Sequence, residues 1–331
     1  MIYVFAMENA RSGGPELLHQ LVYVLNIIGV PAKIAYFADE YPLRIVDAQP
    51  IDIYEKYSVT TESDLAVIDQ PENTVVLPEI AFLFLPELKN CKKMCWWLSV
   101  DGYITATVTQ KGVTPEQMKD VKYLDLYGFR NRDDILHLAQ SHYAISFLTN
   151  KMGVDKKYID YLSDYLNDIY LTFDESSSTE PRRNMVVFNP QKGGKRLARL
   201  IDETKDEIFW FPLQGLTRER MQAAMRLAKV YIDVGEHPGK DRIPREAAIS
   251  GCCVITGRRG AAAYHEDVPI PDTYKIDDST DVDVAKVKSL VFDIFENFDE
   301  RSRDFEEYRQ MIRGEKEQFV SDVMRIFRND Q

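Results

Sequence analysis

Short apolar runs alternate along the whole chain with longer stretches in which apolar residues recur every three or four positions. Residues 2–7, Ile-Tyr-Val-Phe-Ala-Met, break into the polar, glycine-containing stretch Glu8-Asn9-Ala10-Arg11-Ser12-Gly13-Gly14. Pro15 then stands where a first helical residue would, and Glu16 brings negative charge to the first turn. Leu17, Leu18, Leu21, Val22, Leu25 and Ile28 follow at helical spacing, with Gly29 as a stop. Residues 31–37 return as a strand, and this βαβ opening predicts a parallel sheet. Further strands are predicted at 74–77, 93–98 and 144–148, with helical stretches between them. The rhythm restarts with a strand at 184–188, a loop at 189–194 and a helix from about 195 to 204. Strands at 208–212, 230–234 and 252–256 come next. From 281 to 331 the pattern is amphipathic helix, with Val284, Val287, Leu290, Val291, Ile294 and Phe295 on one face.

The polar stretch 174–181, Asp-Glu-Ser-Ser-Ser-Thr-Glu-Pro, is the best linker in the chain. A chain of 331 residues is also roughly twice a typical domain. The expected class is therefore α/β: two Rossmann-like domains, 1–173 and 182–331, whose parallel sheets face a central cleft. The C-terminal helices belong to the second domain, and the last can cross back onto the first. Both halves open with strand, glycine loop and helix, although no sequence repeat is evident. The apolar runs 21–30 and 75–88 are interrupted by Asn26 and by Pro78, Glu79 and Pro86. Neither offers the ~20 clean residues of a membrane span, so a soluble, cytoplasmic protein is expected. Cys91 and Cys95, beside Trp96 and Trp97, and the vicinal Cys252 and Cys253 read as packed thiols rather than a disulfide framework or a zinc site.

Charge narrows the function. The formal net charge of −12 repels phosphate polymers and disfavours nucleic acid as a partner. An anion site must then be built locally. The segment 182–200 holds Arg182, Arg183, Lys192, Lys195, Arg196 and Arg199 and no acid. Its loop Asn189-Pro190-Gln191-Lys192-Gly193-Gly194 follows a strand, where ligands of open α/β sheets bind, so Lys192 and the next helix N-terminus could hold a diphosphate. Arg199 reads as a solvated helix face. The loop Ser12-Gly13-Gly14 likewise admits a ligand to the main chain before a helix. No dinucleotide fingerprint, P-loop or nucleophile elbow is present.

The densest chemistry is Gly235-Glu236-His237-Pro238-Gly239-Lys240-Asp241-Arg242-Ile243-Pro244-Arg245-Glu246-Ala247-Ala248, which runs from a strand into a small-residue helix. Carboxylates there can accept hydrogen bonds from sugar hydroxyls, and the cations can neutralise phosphate oxygens. This block resembles the GT-B glycosyltransferases, specifically the retaining nucleotide-sugar enzymes of the group 1 or family 4 type. Those carry a Glu-x-x-Gly loop, a second Glu entering an Ala-rich helix, then Gly and a Val-Ile strand. Here these correspond to Glu236 to Gly239, Glu246-Ala247-Ala248, Gly251 and Val254-Ile255. Gly13-Gly14 and Lys192-Gly193 match the family's glycine loop and phosphate-binding Lys-Gly.

The resemblance implies a metal-independent, hexosyltransferase-like enzyme that moves a sugar from a UDP- or GDP-sugar to a glycan, lipid-linked or other acceptor. Such a reaction fits surface polysaccharide or glycoconjugate synthesis, and a lipid-linked acceptor would bring peripheral membrane contact. No other cofactor is implied. Glu246 would bind the donor ribose, Glu236 the donor sugar and Lys192 the diphosphate. Gly13, Gly14, Gly193, Gly239, Lys240, Arg242 and Arg245 would line the donor site. Glu236, His237 and Asp101 are the catalytic candidates, with Asp101 an acceptor-side base in the polar loop after Trp96 and Trp97, which read as core. His142 is a weaker cleft candidate, while His19, His137 and His265 read as ordinary helix or loop residues.

Two departures stand out. Glu246 lies two positions further from Glu236 than the family spacing, and the arginine usual before Lys-Gly is missing; Arg242 or Arg245 would replace it. Another group transferase on this architecture, such as a pyruvyltransferase, or a catalytically silent glycan- or nucleotide-binding protein are the alternatives. The acceptor and the oligomeric state are left open.

Overall fold

A computed structural model of the chain describes residues 1–40, 42–114, 116–172, 181–277 and 282–328. They form two compact units, one of residues 1–164 with 317–331 and one of residues 165–316. Most of the linker stretch, 174–180, lies outside the described residues.

The first unit is built on a six-stranded parallel sheet in the order β2-β1-β3-β4-β5-β6. Its strands are β1 (Ile2–Met7), β2 (Ala32–Phe37), β3 (Thr74–Pro78), β4 (Lys92–Trp97), β5 (Ile135–Ala139) and β6 (Ile159–Tyr161). Val4, Phe5 and Ala6 have no exposed surface, as a central parallel strand covered on both faces requires. Helix α1 (Gly13–Ile27) starts two residues before Pro15 and buries Leu17, Leu18, Leu21, Val22 and Leu25 against the sheet. It stops at Gly29, whose φ of +81° suits glycine.

Two expectations are corrected. Residues 144–148 are helical, and the strand of this region is β5, earlier in the chain. The hydroxyl of Ser141 accepts the Ala144 N–H at 3.2 Å and starts a helix (His142–Ser146). Ala144, Phe147 and Leu148 then reach the core at i, i+3 and i+4, so the short apolar run has helical rather than strand spacing. His142 accordingly opens this helix. Likewise, the polar segment after Trp97 is helix α2 (Val100–Lys111), with Asp101 in its first turn. Trp96 and Trp97 are fully buried, as expected, and their ring N–H groups donate to the Leu162 carbonyl and to His137 Nδ1.

The second unit carries four parallel strands in the order β10-β9-β7-β8. These are β7 (Arg183–Phe188), β8 (Phe209–Pro212), β9 (Ala228–Asp233) and β10 (Cys253–Thr256). Helix α3 (Gly194–Thr204) turns Leu197 and Leu200 inward, and full burial stabilises by roughly 1.5–3 kcal/mol for each side chain. Helix α4 (Arg218–Leu227) and helix α5 (Arg242–Ile249) follow β8 and β9. The C-terminal segment consists of α6 (Val284–Glu296), two short turns and α7 (Glu306–Arg328). On α6, Val287, Val291, Ile294 and Phe295 are buried, while Leu290 and Val284 are only partly so. All four cysteines are free and buried. No helix among the described residues is long and apolar enough to cross a membrane.

Candidate functional site

In the second sheet the chain leaves β7 in one direction to reach β8 and in the other to reach β9 and β10. The loops after β7 and β9 therefore flank a topological switch point, the usual ligand crevice of an open α/β sheet. These loops are Asn189 to Gly193 and Val234 to Asp241, and they meet backbone to backbone. Gly193 has a φ of +70°, and a Cβ there would lie 2.6 Å from the Gly235 amide nitrogen. A Cβ on Gly235 would in turn stand 3.0 Å from Gly193 N. Only two glycines allow this approach, and it sets Lys192 and the start of α3 beside the charged loop.

Beneath the surface the loop after β9 is tied by a chain of ionisable groups. The Tyr231 hydroxyl donates to Asp233 Oδ2 at 2.8 Å, and the Gly235 N–H donates to Asp233 Oδ1 at 2.9 Å. His237, 1% exposed, has Nε2 3.8 Å from Asp233 Oδ1 and Nδ1 3.3 Å from Asp241 Oδ2. Lys192 Nζ closes the chain on Asp241 Oδ2 at 2.7 Å. Burial alone would lower the His237 pKa, but Asp241 and Asp233 on its two sides raise it above the ordinary value. Asp241 is lowered: its own burial opposes this, and the imidazole and Lys192 overcome it. Asp233, raised by burial, is the more easily protonated of the two acids. The His237 carbonyl accepts the Ala261 N–H at 2.8 Å, and a Cβ on Gly260 would collide with that carbonyl. Three strand-end loops are thus locked together through His237 and Asp241.

The cations of the loop separate into two groups. Lys240 and Arg245, expected at the donor, turn inward instead. Lys240 Nζ lies 2.9 Å from Glu315 Oε1, and Arg245 Nη1 lies 2.8 Å from Glu315 Oε2. Arg245, with no exposed surface, also donates to the carbonyls of Lys240 and Asp241. Facing outward, Glu236 is gripped by Arg196 of α3 at 2.8 Å and by Arg259, from the loop after β10, at 3.6 Å. Arg199 pairs with Glu203 along the helix, as a solvated face would. Arg182 lies at the opposite end of β7, donating to the carbonyls of Met225, Ala228 and Ser250.

Glu246 sits one turn into α5, beside the hydroxyl of Tyr170, with which it hydrogen-bonds. Burial raises its pKa against the opposing pull of Arg242, Tyr170 and Arg245. Gly239 is buried in the loop between Glu236 and α5. The second unit therefore gathers Lys192, Gly193, Glu236, His237, Gly239, Arg242 and Glu246 around the ends of β7 and β9.

Gly13, Gly14 and Asp101 belong to the first unit, at the strand ends of its own sheet. A Cβ on Gly14 would lie 3.8 Å from Leu98 Cδ1, which puts the glycine loop beside the end of β4. Asp101 accepts from the Tyr143 hydroxyl at 3.2 Å. Close by, the buried carboxyl of Glu79 accepts the Leu98 N–H at 3.0 Å, and burial pushes its pKa up to about 7. His19 is a core residue: Nδ1–H donates to the Pro15 carbonyl, which leaves Nε2 to accept from Tyr36. Sequence reasoning did not single out Glu79, Tyr170, Arg259 or Glu315. Of these only Arg259 carried a local signal, since Gly257-Arg258-Arg259-Gly260 is another glycine-bracketed basic loop after a strand. No group of His, Cys, Asp and Glu suited to a metal ion occurs among the described residues.

No family model and no curated protein sequence matches the chain. Solved structures match it over nearly its whole length. It is similar to a glycosyltransferase from Rickettsia africae, with a TM-score of 0.65 at 14% identity, covering 98% of this chain and 95% of that one. HepE of Anabaena in complex with UDP gives 0.64 at 11% identity, covering 99% of each chain. Sucrose-phosphate synthase from Thermosynechococcus elongatus gives 0.62 at 13% identity, covering 99% of this chain and 98% of that one. The fold is that of the GT-B glycosyltransferases: α/β, with two Rossmann-like units and C-terminal helices.

Proposed function

We propose that the protein transfers a sugar, most simply a hexose, from a nucleoside-diphosphate donor to a glycan or lipid-linked acceptor. The observation that carries this reading is the gathering of Lys192-Gly193, Glu236 and Glu246 at the switch point of a GT-B sheet. Lys192 and the N-terminus of α3 take the diphosphate, where cationic groups and aligned N–H dipoles stabilise the departing nucleoside diphosphate without a metal ion. Glu246, braced by Tyr170, accepts from the ribose hydroxyls, and Glu236 accepts from the donor sugar. Gly239 keeps the loop low over that sugar, while Arg242 balances the charge of Glu246. His237, Lys240 and Arg245 support the loop from beneath rather than touching donor. In the first unit, Asp101 is the acceptor-side base candidate, and Gly13 and Gly14 remain donor-binding candidates. HepE, a structural neighbour solved with UDP, is also known in complex with UDP-glucose, and it supports the choice of donor class. The four buried free thiols fit a reducing compartment, and the cytoplasmic side of surface-glycan synthesis is the setting proposed.

Titration of UDP- and GDP-sugars against wild type, Glu246→Ala and the isosteric Glu246→Gln tests this, with transfer to an acceptor panel read by mass. One donor class should bind wild type and weaken by roughly ten- to a hundredfold in both variants, the cost of losing a charged hydrogen bond. Equal binding by all three, or no nucleotide bound by any, overturns the reading.

A further inference from the structure

Two arginines from different elements converge on one oxygen of Glu236. Arg196 reaches Oε1 at 2.8 Å from the first turn of α3, and Arg259 reaches the same atom at 3.6 Å from the loop after β10. The two come from elements 63 positions apart in the chain, so helix pairing does not explain their meeting. Glu236 directly follows Gly235, whose close approach to Gly193 joins the loops after β7 and β9. Glu236 is the most exposed of the three, its side chain 53% open to solvent, against 34% for Arg196 and 31% for Arg259. A carboxylate in that position is poorly held and easily exchanged for another anion.

We infer that Arg196 and Arg259 form a diphosphate-binding pair, and that Glu236 occupies it as an internal counter-anion until a ligand diphosphate displaces it. The inference deepens the glycosyl-transfer reading and rests on it for the identity of the ligand. Chemistry favours this pairing, because two guanidinium groups suit the spread charge of a diphosphate better than one carboxylate. It also supplies, from α3 and the loop after β10, the cations that the missing arginine before Lys192 would have given. Neither arginine lies within the charged loop of 235–246. Displacement frees Glu236 for the donor sugar, so one carboxylate guards the empty site and serves the filled one.

Calorimetric titration of the full chain with inorganic pyrophosphate, and separately with a panel of nucleoside diphosphates, tests the pair. Removing the competing carboxylate in Glu236→Gln should tighten pyrophosphate by about two- to fivefold, the scale expected of partly exposed ion pairing. Arg196→Gln and Arg259→Gln should each weaken it at least about tenfold. Arg199→Gln, which removes a cation one turn further along α3, should change nothing. Sugar transfer by Glu236→Gln should fall even as nucleoside diphosphate binds more tightly. Unchanged or weaker pyrophosphate binding in Glu236→Gln overturns the inference, as does equal loss in Arg199→Gln. The functional reading fails differently: if no nucleoside diphosphate binds while pyrophosphate follows the pattern above, the anion pair stands and glycosyl transfer falls.

Discussion

Two charge trios of the second unit have the same make-up, two cations sharing one carboxylate, but stand in opposite surroundings. Lys240, Arg245 and Glu315 are 5%, 0% and 5% exposed, and their groups are held within 2.9 Å. Arg196, Arg259 and Glu236 lie at the surface, and one of their two contacts is long. Burial decides what such a trio can do. In the interior, each charge has lost its water and must keep its partners, so the geometry is fixed and the loop with it. At the surface, water and ions substitute for any partner, so the trio can open for a ligand. The buried trio supports the loop that the exposed one works from.

Breaking the buried trio should have the largest effect. Glu315→Ala leaves Lys240 and Arg245 without their carboxylate in the interior, and should cost about 3–5 kcal/mol of stability in chemical denaturation. Lys240→Met with Glu315→Leu removes charge of both signs and should cost less than Glu315→Ala alone. A loss under about 1 kcal/mol in the single variant would mean that the trio does not hold the loop.

Next comes the backbone on which the exposed trio depends. Gly193 and Gly215 have nearly the same left-handed φ, +70° and +67°, but a Cβ on Gly215 meets nothing within 4 Å. Gly215→Ala should show only conformational strain, about 1 kcal/mol. Gly193→Ala adds the collision with Gly235 and should cost about 2–3 kcal/mol while weakening nucleoside diphosphate binding. Equal losses in the two variants would mean that the loops do not need their close approach.

How far the sequence could be read follows the same divide. Strand ends and glycine loops are local, so β1, β7, β9 and the loops carrying Lys192 and Glu236 were legible from apolar runs and turn residues. The helix Val100–Lys111 was not, because Gly102 and the β-branched Ile104, Thr105 and Thr107 hide any helical stripe. Residues 144–148 misled for the opposite reason, since so short an apolar run fits either structure and the Ser141 cap decides. In the site, the residue types were legible but not their direction. Arg245 reads as a ligand cation until Glu315, 70 positions away, is brought against it. Nothing near either residue announces that contact. Arg259 did carry a local signal in its glycine-bracketed basic loop, but its meaning comes from Glu236 on the neighbouring strand end.

The smallest expected effect separates the two trios most sharply. Glu236→Gln removes the same kind of carboxylate from the same number of cations as a change at Glu315, so any difference must come from burial. At Glu236 both arginines keep access to water, which takes up the hydrogen-bonding places that the carboxylate leaves. The lost attraction is screened, and the side chains regain some rotamer freedom. Stability in chemical denaturation should therefore change by no more than about 1 kcal/mol, with the difference shrinking further as salt is added. A loss of about 2 kcal/mol or more would class Glu236 with Glu315 as a structural carboxylate, and a carboxylate bound that firmly could not give way to a diphosphate.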